Sequence, residues 1–241
     1  MTPTRISADK ETDVLYRSLR TRHGGGTWAN GYRFAPHFRW EQRLLLDALR
    51  QETALGTLLD IGCGTGLLVR PLIERGESVI GLDYNFEACR LAAGNGLAIV
   101  RGDVYDLPFR PAAADHIVCC QFLNQQPHAK IERLMTEASR VLRPNGRFLL
   151  VWRNGRSLLH RLAHFTFRLL DRVRGEPDFP QVFHDPMEVA QKARAAGFAI
   201  DFAGVTCPLL PGAPLAGQGF LGRLAGASFF LVLRKPKHGE G

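Results

Sequence analysis

The sequence predicts an α/β fold built on a doubly wound, mostly parallel sheet of seven strands that ends in a C-terminal antiparallel hairpin. Three observations carry this. Short apolar runs alternate with helically spaced segments over roughly a hundred residues, which is the rhythm of βαβ units. The first run, Leu58-Leu59-Asp60-Ile61, breaks into Gly62-Cys63-Gly64-Thr65-Gly66, a strand entering a tight loop before a helix. The last two apolar runs, Phe198–Val205 and Ser228–Leu233, have little periodicity between them and read as an antiparallel pair.

Residues 1–26 are polar and end in Gly24-Gly25-Gly26, so a loosely held arm is expected, helical over Thr12–Arg20. Trp28, Tyr32, Phe34, Phe38 and Trp40 then crowd together with Arg33, His37 and Arg39. This is too aromatic for a solvated linker; it is a flap that packs on the core or one that also lines a pocket. Leu44, Leu45, Ala48 and Leu49 keep helical spacing from Glu41 onward. A helix is expected over Leu67–Arg75, a strand over Ser78–Asp83, a helix over Asn85–Ala93 and a third strand over Leu97–Val100. Arg101–Phe109 is a loop and Asp115–Phe122 a fourth strand. Ile131–Leu142 is a helix closed by Arg143-Pro144-Asn145-Gly146, and Arg147–Trp152 a fifth strand.

From Gly155 the rhythm changes. Over Ser157–Val173, Leu158, Leu159, Leu162, Phe165, Leu169, Leu170 and Val173 fall on one side of a helical projection, with Arg161, Arg168 and Arg172 along its border. Such a helix covers the sheet or its rim, closes over a substrate, or meets a membrane surface. His184-Asp185-Pro186 caps a helix over Met187–Ala196 that Gly197 stops, and Pro208–Gly226 reads as a mobile apolar loop. A single domain is expected: arm and flap at 1–40, core at 41–152, helical insertion at 153–185, and C-terminal helix and strands at 186–241.

With 45% hydrophobic and 22% charged residues, the 241-residue chain has the make-up of one ordinary globular domain. Thirty-one Lys and Arg against 23 Asp and Glu give a formal net charge of +8, which favours anionic partners: nucleic acid, a lipid surface or an acidic small molecule. Five cysteines form no C-x-x-C pair and sit mostly in apolar runs, as buried thiols of a reducing compartment do, and none reads as a metal ligand. His160 and His164 stand one turn apart but have no acid or thiol nearby, so no metal is expected. No signal-like apolar segment opens the chain, and no run approaches the ~18 apolar residues of a spanning helix. A cytoplasmic protein is expected, with peripheral membrane contact left open.

The residues that carry chemistry collect where strands end. Glycines let backbone approach a ligand, and such βα turns are where open α/β sheets bind nucleotides. Asp60 precedes that loop. Asp83, about 20 residues on, stands where a carboxylate accepts from the vicinal hydroxyls of a ribose, or caps the following helix. Asp103 is suited to the amino edge of adenine while Val104 and Tyr84 cover its faces. Gln121, Phe122 and Asn124 reach the same rim, and His128 follows shortly.

Asp60-x-Gly62-x-Gly64-x-Gly66, Asp83 after the second strand, Gly102-Asp103 after the third and Leu142-Arg143-Pro144-Asn145-Gly146-Arg147 before the fifth resemble the class I S-adenosylmethionine-dependent methyltransferases, especially the group that includes quinone and natural-product enzymes. The match is good over about Leu58–Trp152 and looser beyond. It implies a Rossmann-like domain with S-adenosylmethionine as cofactor. Asp60 and the loop Gly62, Cys63, Gly64 and Gly66 would lie beside the methionine portion, Asp83 on the ribose and Asp103 with Val104 and Tyr84 on adenine. Gln121 joins them, and Tyr32 and Arg33 are the candidates for the aromatic or basic residue that family members often place near the cofactor carboxylate. A nicotinamide-binding loop would need its third glycine one residue later, where Leu67 stands. The Asn/Asp-Pro-Pro-aromatic element of amino-adenine methyltransferases is absent from Asn124-Gln125-Gln126-Pro127-His128, so DNA is not expected as a partner.

The reaction so implied moves an already activated methyl group to O, N or C of a small, hydrophobic or aromatic acceptor. The protein must align the reactants, exclude water and, for a phenol or ammonium, remove a proton. His128 and His37 are the candidate bases. An RNA or protein methyltransferase, which the basic balance favours, and a catalytically silent binding protein are the rival readings; RNA stays open as a partner.

Overall fold

A computed structural model of the chain describes residues 35–50, 55–175, 182–206, 215–216 and 226–237. The expected arm, Tyr32 and Arg33, and most of the apolar loop at 208–226 lie outside the described residues. The described elements are helix α1 (Ala35–Leu49), strand β1 (Leu58–Ile61), helix α2 (Arg70–Ile73), β2 (Val79–Asp83), α3 (Phe86–Gly94), β3 (Ala98–Arg101), β4 (Ala114–Cys120), α4 (Ile131–Val141), β5 (Leu142–Arg153), α5 (Leu158–Arg174), α6 (Pro186–Ala195), β6 (Ala199–Thr206), β7 (Leu215–Ala216) and β8 (Ser228–Arg234).

The strands form one mixed sheet in the order β3-β2-β1-β4-β5-β8-β6-β7. β1 pairs in parallel with β2 and β4, β2 with β3, and β4 with β5; β8 then inserts antiparallel between β5 and β6. Seven strands are of ordinary length, and β7 is a two-residue addition at the edge. The strand order reverses between β2-β1 and β4, so the ends of β1, β2, β3 and β4 open on one shared edge.

Strand alternation divides the interior into two apolar layers. Leu59 and Ile61 of β1, Phe148, Leu150 and Trp152 of β5, and Phe229, Leu231 and Leu233 of β8 face α4 and α6 through Leu134, Met135, Ala138, Val189 and Ala193. Leu58, Leu149, Val151, Phe230 and Val232 face the other way, toward Leu45, Leu46 and Leu49 of α1. Burial on both faces is why these strands read as continuous apolar runs.

Four local expectations need correction. The helix expected from Glu41 begins at Ala35, so the second half of the aromatic flap is helical, with Phe38 buried. The helix expected over Leu67–Arg75 shrinks to Arg70–Ile73. The Gln42 side chain donates to the Leu67 and Leu68 carbonyls at 2.8 Å each, and Asn95 donates to the Thr65 carbonyl at 2.8 Å, so these acceptors serve side chains instead of a helical ladder. The Arg143–Gly146 turn is an interruption inside β5: Leu142 pairs with Ala114 and Arg147 with His116, leaving the residues between them as a bulge. Finally, the apolar side of α5 does not cover the sheet; Leu158, Leu162, Phe165, Leu169 and Val173 are exposed.

The bulge yields a stability prediction. A Cβ on Gly146 would stand 2.8 Å from the backbone oxygens of both Arg143 and Asp115, and neither can move aside as a side-chain tip could. Gly146→Ala should lower the unfolding free energy by about 2 kcal/mol, the usual range for overpacking, as read by denaturant titration.

Candidate functional site

The shared edge begins with the loop after β1. Gly62 has φ of +69°, its N–H donates to the Leu82 carbonyl at 2.7 Å, and a Cβ there would lie 2.5 Å from Cδ2 of Phe122. A side chain is therefore excluded by conformation and by space. Two residues on, the Gly64 N–H donates to one carboxylate oxygen of Asp83 at 2.9 Å, while the Asn85 N–H donates to the other at 2.9 Å. The carboxylate is thus oriented by backbone from both sides. The helix-capping role belongs to Asn85, whose side chain accepts from the Ala88 N–H at 2.8 Å, and not to Asp83.

Asp60 sits on β1 in register with Leu58, on the face toward α1, and is 1% exposed. Its Oδ2 has no hydrogen-bond partner. Burial, and secondarily the charge of Asp83, push its pKa up to about 8, so the folded chain holds it protonated at neutral pH. Cys63, buried next to it, is pushed well above the ordinary thiol range, first by burial and then by Asp60 and Asp83, and is no nucleophile.

Beyond β2, Tyr84 is 41% exposed, with the Arg101 guanidinium 5.8 Å from its ring centroid and Arg101 Nε donating to its carbonyl at 3.0 Å. After β3, the Asp103 carboxylate accepts from the Tyr105 N–H at 3.0 Å and Val104 is buried. Tyr105 donates to Gln126 Oε1 at 2.6 Å, which ties this loop to the segment that follows β4. Asp60, the glycine loop, Asp83, Tyr84, Asp103 and Val104 therefore all stand on the edge where β1, β2 and β3 end.

Gln121 ends β4 with φ of +60°, its N–H on the Val151 carbonyl at 2.7 Å. Its side-chain amide donates to Glu41 at 2.9 Å and to Ser228 Oγ at 3.1 Å, and its side-chain oxygen accepts from Asn124. Glu41 is fully buried and accepts from His37 Nε2 at 2.8 Å. Burial alone would raise the Glu41 pKa, but the His37 charge and the bonds from His37, Ser228 and Gln121 outweigh it and bring the pKa down to about 2. His37 is thus coupled to an ionised carboxylate beside the end of β4, its Nδ1 being the basic nitrogen of the neutral ring. Glu41 and Ser228 were not among the residues singled out from the sequence; the four-residue spacing from His37 to Glu41 on one helix was the available signal.

His128 lies on the far side of the same segment. His184 Nε2 donates to the Leu123 carbonyl at 2.8 Å, which leaves its Nδ1 to accept from His128 Nδ1 at 3.1 Å. Burial, chiefly, lowers the His184 pKa. His128 is therefore held by a neutral imidazole, with Glu188 at 3.8 Å and its own ring half exposed. Among the described residues no group of three or more His, Cys, Asp or Glu could hold a metal ion; His164 packs edge-on against Phe183 instead, ring centroids 5.6 Å apart.

Residues 59–150 match the family model described as a methyltransferase domain. The ubiquinone biosynthesis O-methyltransferase of Nitrosomonas europaea is 30% identical over 152 residues, 58% of this chain and 63% of that protein, so the chain spans less than two thirds of this relative. The enzyme of the same name from Coxiella burnetii is 27% identical over 223 residues, covering 85% of this chain and 89% of that one. Among solved structures, magnesium protoporphyrin IX methyltransferase from Synechocystis PCC 6803 with bound SAH superposes with a TM-score of 0.62 over 93% of this chain and 99% of that one, at 15% identity, a likeness of fold.

The protonated state of Asp60 has a measurable consequence. Its folded pKa of about 8 lies above the value of 3.8 it would have unfolded, so the folded state binds the extra proton between those limits. The group's stabilising effect is complete below pH 4 and is lost as pH rises to 8, at about 1.4 kcal/mol per pH unit within the window. Unfolding titrations of Asp60→Asn at pH 5 and pH 8 should show that much of the wild-type decline removed.

Proposed function

We propose that the chain is a class I S-adenosylmethionine-dependent methyltransferase that transfers a methyl group from S-adenosylmethionine to O, N or C of a small hydrophobic or aromatic acceptor, a reading supported by the methyltransferase-domain match over residues 59–150. The observation that carries this reading is the Asp83 carboxylate, clamped between the Gly64 and Asn85 N–H groups at the head of the glycine loop. The residues present fit an adenosyl group with an amino acid tail. The loop offers backbone with no side chain at Gly62, Asp83 offers oriented carboxylate oxygens for the ribose hydroxyls, Asp103 a carboxylate for the adenine amino edge, and Tyr84 and Val104 apolar surface for the ring. The unpartnered Oδ2 of Asp60 adds a buried polar atom close to the loop. S-adenosylmethionine, when bound, supplies the electrophilic methyl group.

The chain's own residues then align the acceptor, keep water out and take up its proton where the nucleophile carries one. Of the two candidate histidines, His37 is the better supported base. Its partner Glu41 is a fully buried anion 2.8 Å away, fixed by Gln121 and Ser228, and stabilises the imidazolium that proton uptake creates; the carboxylate beside His128, Glu188, is 3.8 Å away and partly exposed to solvent, so its effect is screened. The name of the relatives, ubiquinone biosynthesis O-methyltransferase, supports a small acceptor methylated on oxygen. The net charge of +8 supports an anionic or lipid-associated acceptor as well as RNA.

Two measurements test this. Calorimetric titration with S-adenosylmethionine should show binding by the wild type and a loss of roughly a hundredfold or more in Asp83→Ala, the effect of removing two charge-assisted hydrogen bonds, with circular dichroism unchanged. Unaltered affinity would remove the ribose assignment. Transfer of labelled methyl to a panel of catechols and phenols should fall about a hundredfold in His37→Gln with cofactor affinity intact, and much less in His128→Gln. The reverse order would move the base to His128.

A further inference from the structure

Helix α5 presents its apolar side to solvent. Leu158, Leu162, Phe165, Leu169 and Val173 are 56–80% exposed, and Leu159 and Leu170 are 46% exposed. The half-buried residues His164 and Phe167 fall on the opposite side of the helix, and His164 rests on the Phe183 ring. The helix is therefore attached by its narrow, mixed side and displays the wide apolar one. A patch of this extent, about four turns long, is not the scattered exposure of a soluble surface.

What borders the patch decides its partner. Arg161, Arg168 and Arg172 run along one margin and Arg174 stands at the other, all exposed, and the helix sequence holds a single acid, Asp171. Two copies joined apolar face to apolar face would bring these arginine margins together. An anionic lipid surface meets both requirements at once, accepting the leucine and phenylalanine side chains below and the guanidinium groups at the headgroup level. The excess of eight positive charges over the chain acts in the same direction. At 17 residues with four arginines, the helix is neither long nor apolar enough to cross a membrane.

We propose that α5 is a membrane-docking helix that lies in the interface of an anionic bilayer. Because α5 leaves the end of β5 through the buried Asn154 and Ser157, docking brings that edge of the sheet toward the lipid. This extends the proposed function to amphipathic acceptors that partition into the bilayer; the docking itself does not rest on that function, since its test requires no turnover.

The test is co-sedimentation of the full chain with vesicles of equimolar phosphatidylcholine and phosphatidylglycerol, and with phosphatidylcholine alone. Binding should be at least about tenfold stronger to the anionic vesicles and should weaken as salt is raised. Leu162→Ser/Phe165→Ser should reduce it about tenfold or more. Arg161→Gln/Arg168→Gln/Arg172→Gln should reduce it and flatten the salt dependence, with circular dichroism and S-adenosylmethionine affinity unchanged in both variants. The proposal is overturned by absence of binding to the anionic vesicles, or by equal binding of the apolar variant. It is also overturned if sedimentation velocity shows a dimer that Leu162→Ser/Phe165→Ser dissolves and vesicles do not, which would make the face a contact between copies. Loss of acceptor affinity in that variant without any vesicle binding would make the helix a lid and equally end the proposal.

Discussion

The hydrogen bond from Gly64 N–H to the Asp83 carboxylate holds the site together. It spans two parallel strands at the one place where their ends meet, and so converts sheet register into site geometry. With β1 and β2 paired from Leu58 and Val79 to Ile61 and Leu82, the loop leaving β1 can reach Asp83 only because Gly62 turns with a positive φ. Any side chain at Gly62 would meet Phe122, which is itself carried by the segment after β4. Three strands and the loop are thereby tied to one another by bonds within the protein itself.

The second constraint is the buried polar set under the end of β4. Glu41, Gln121, Asn124, Ser228 and His37 come from α1, the turn after β4 and the first residue of β8. A carboxylate with no exposure would be neutral if burial acted alone; here the hydrogen bonds and the His37 charge reverse that outcome. A buried network of this kind is stable only when complete, which explains why Gln121 takes up a left-handed backbone conformation to aim its amide at Glu41. The cofactor role expected of the Gln121 side chain competes with this bonding, so its contribution to ligand binding falls more naturally to the backbone turn it forms.

The succession of strands and helices, the two-sided burial and the position of Asp60, Asp83, Asp103 and the glycines at strand ends were legible in the sequence because each follows from local pattern: apolar run, polar terminus, small residues. What was not legible depended on partners distant along the chain. The helix after the glycine loop was cut short by Gln42 and Asn95, whose side chains take carbonyls that a helix would need. The Glu41 network joins residues 80 and 107 positions apart, with no shared motif. Periodicity located α5 and its amphipathic character correctly, yet periodicity defines only that a helix has two sides. Which side meets the protein was settled by His164 and Phe167, and the structure shows the apolar side turned outward.

Asp60 breaks the rule that organises the rest of β1. On the α1-facing side of that strand Leu58 is followed by an acid, at a position where another aliphatic residue would add to the core and leave no polar atom unpaired. Burial and the nearby Asp83 charge hold this acid protonated, so the two carboxylates coexist with one negative charge between them. That arrangement is poised toward cations: a positively charged ligand group beside the loop would favour the ionised form of Asp60, whereas an anion would meet the existing charge of Asp83. A residue that weakens the empty core while tuning the edge to the sign of its ligand is what departs from local consistency at a functional position.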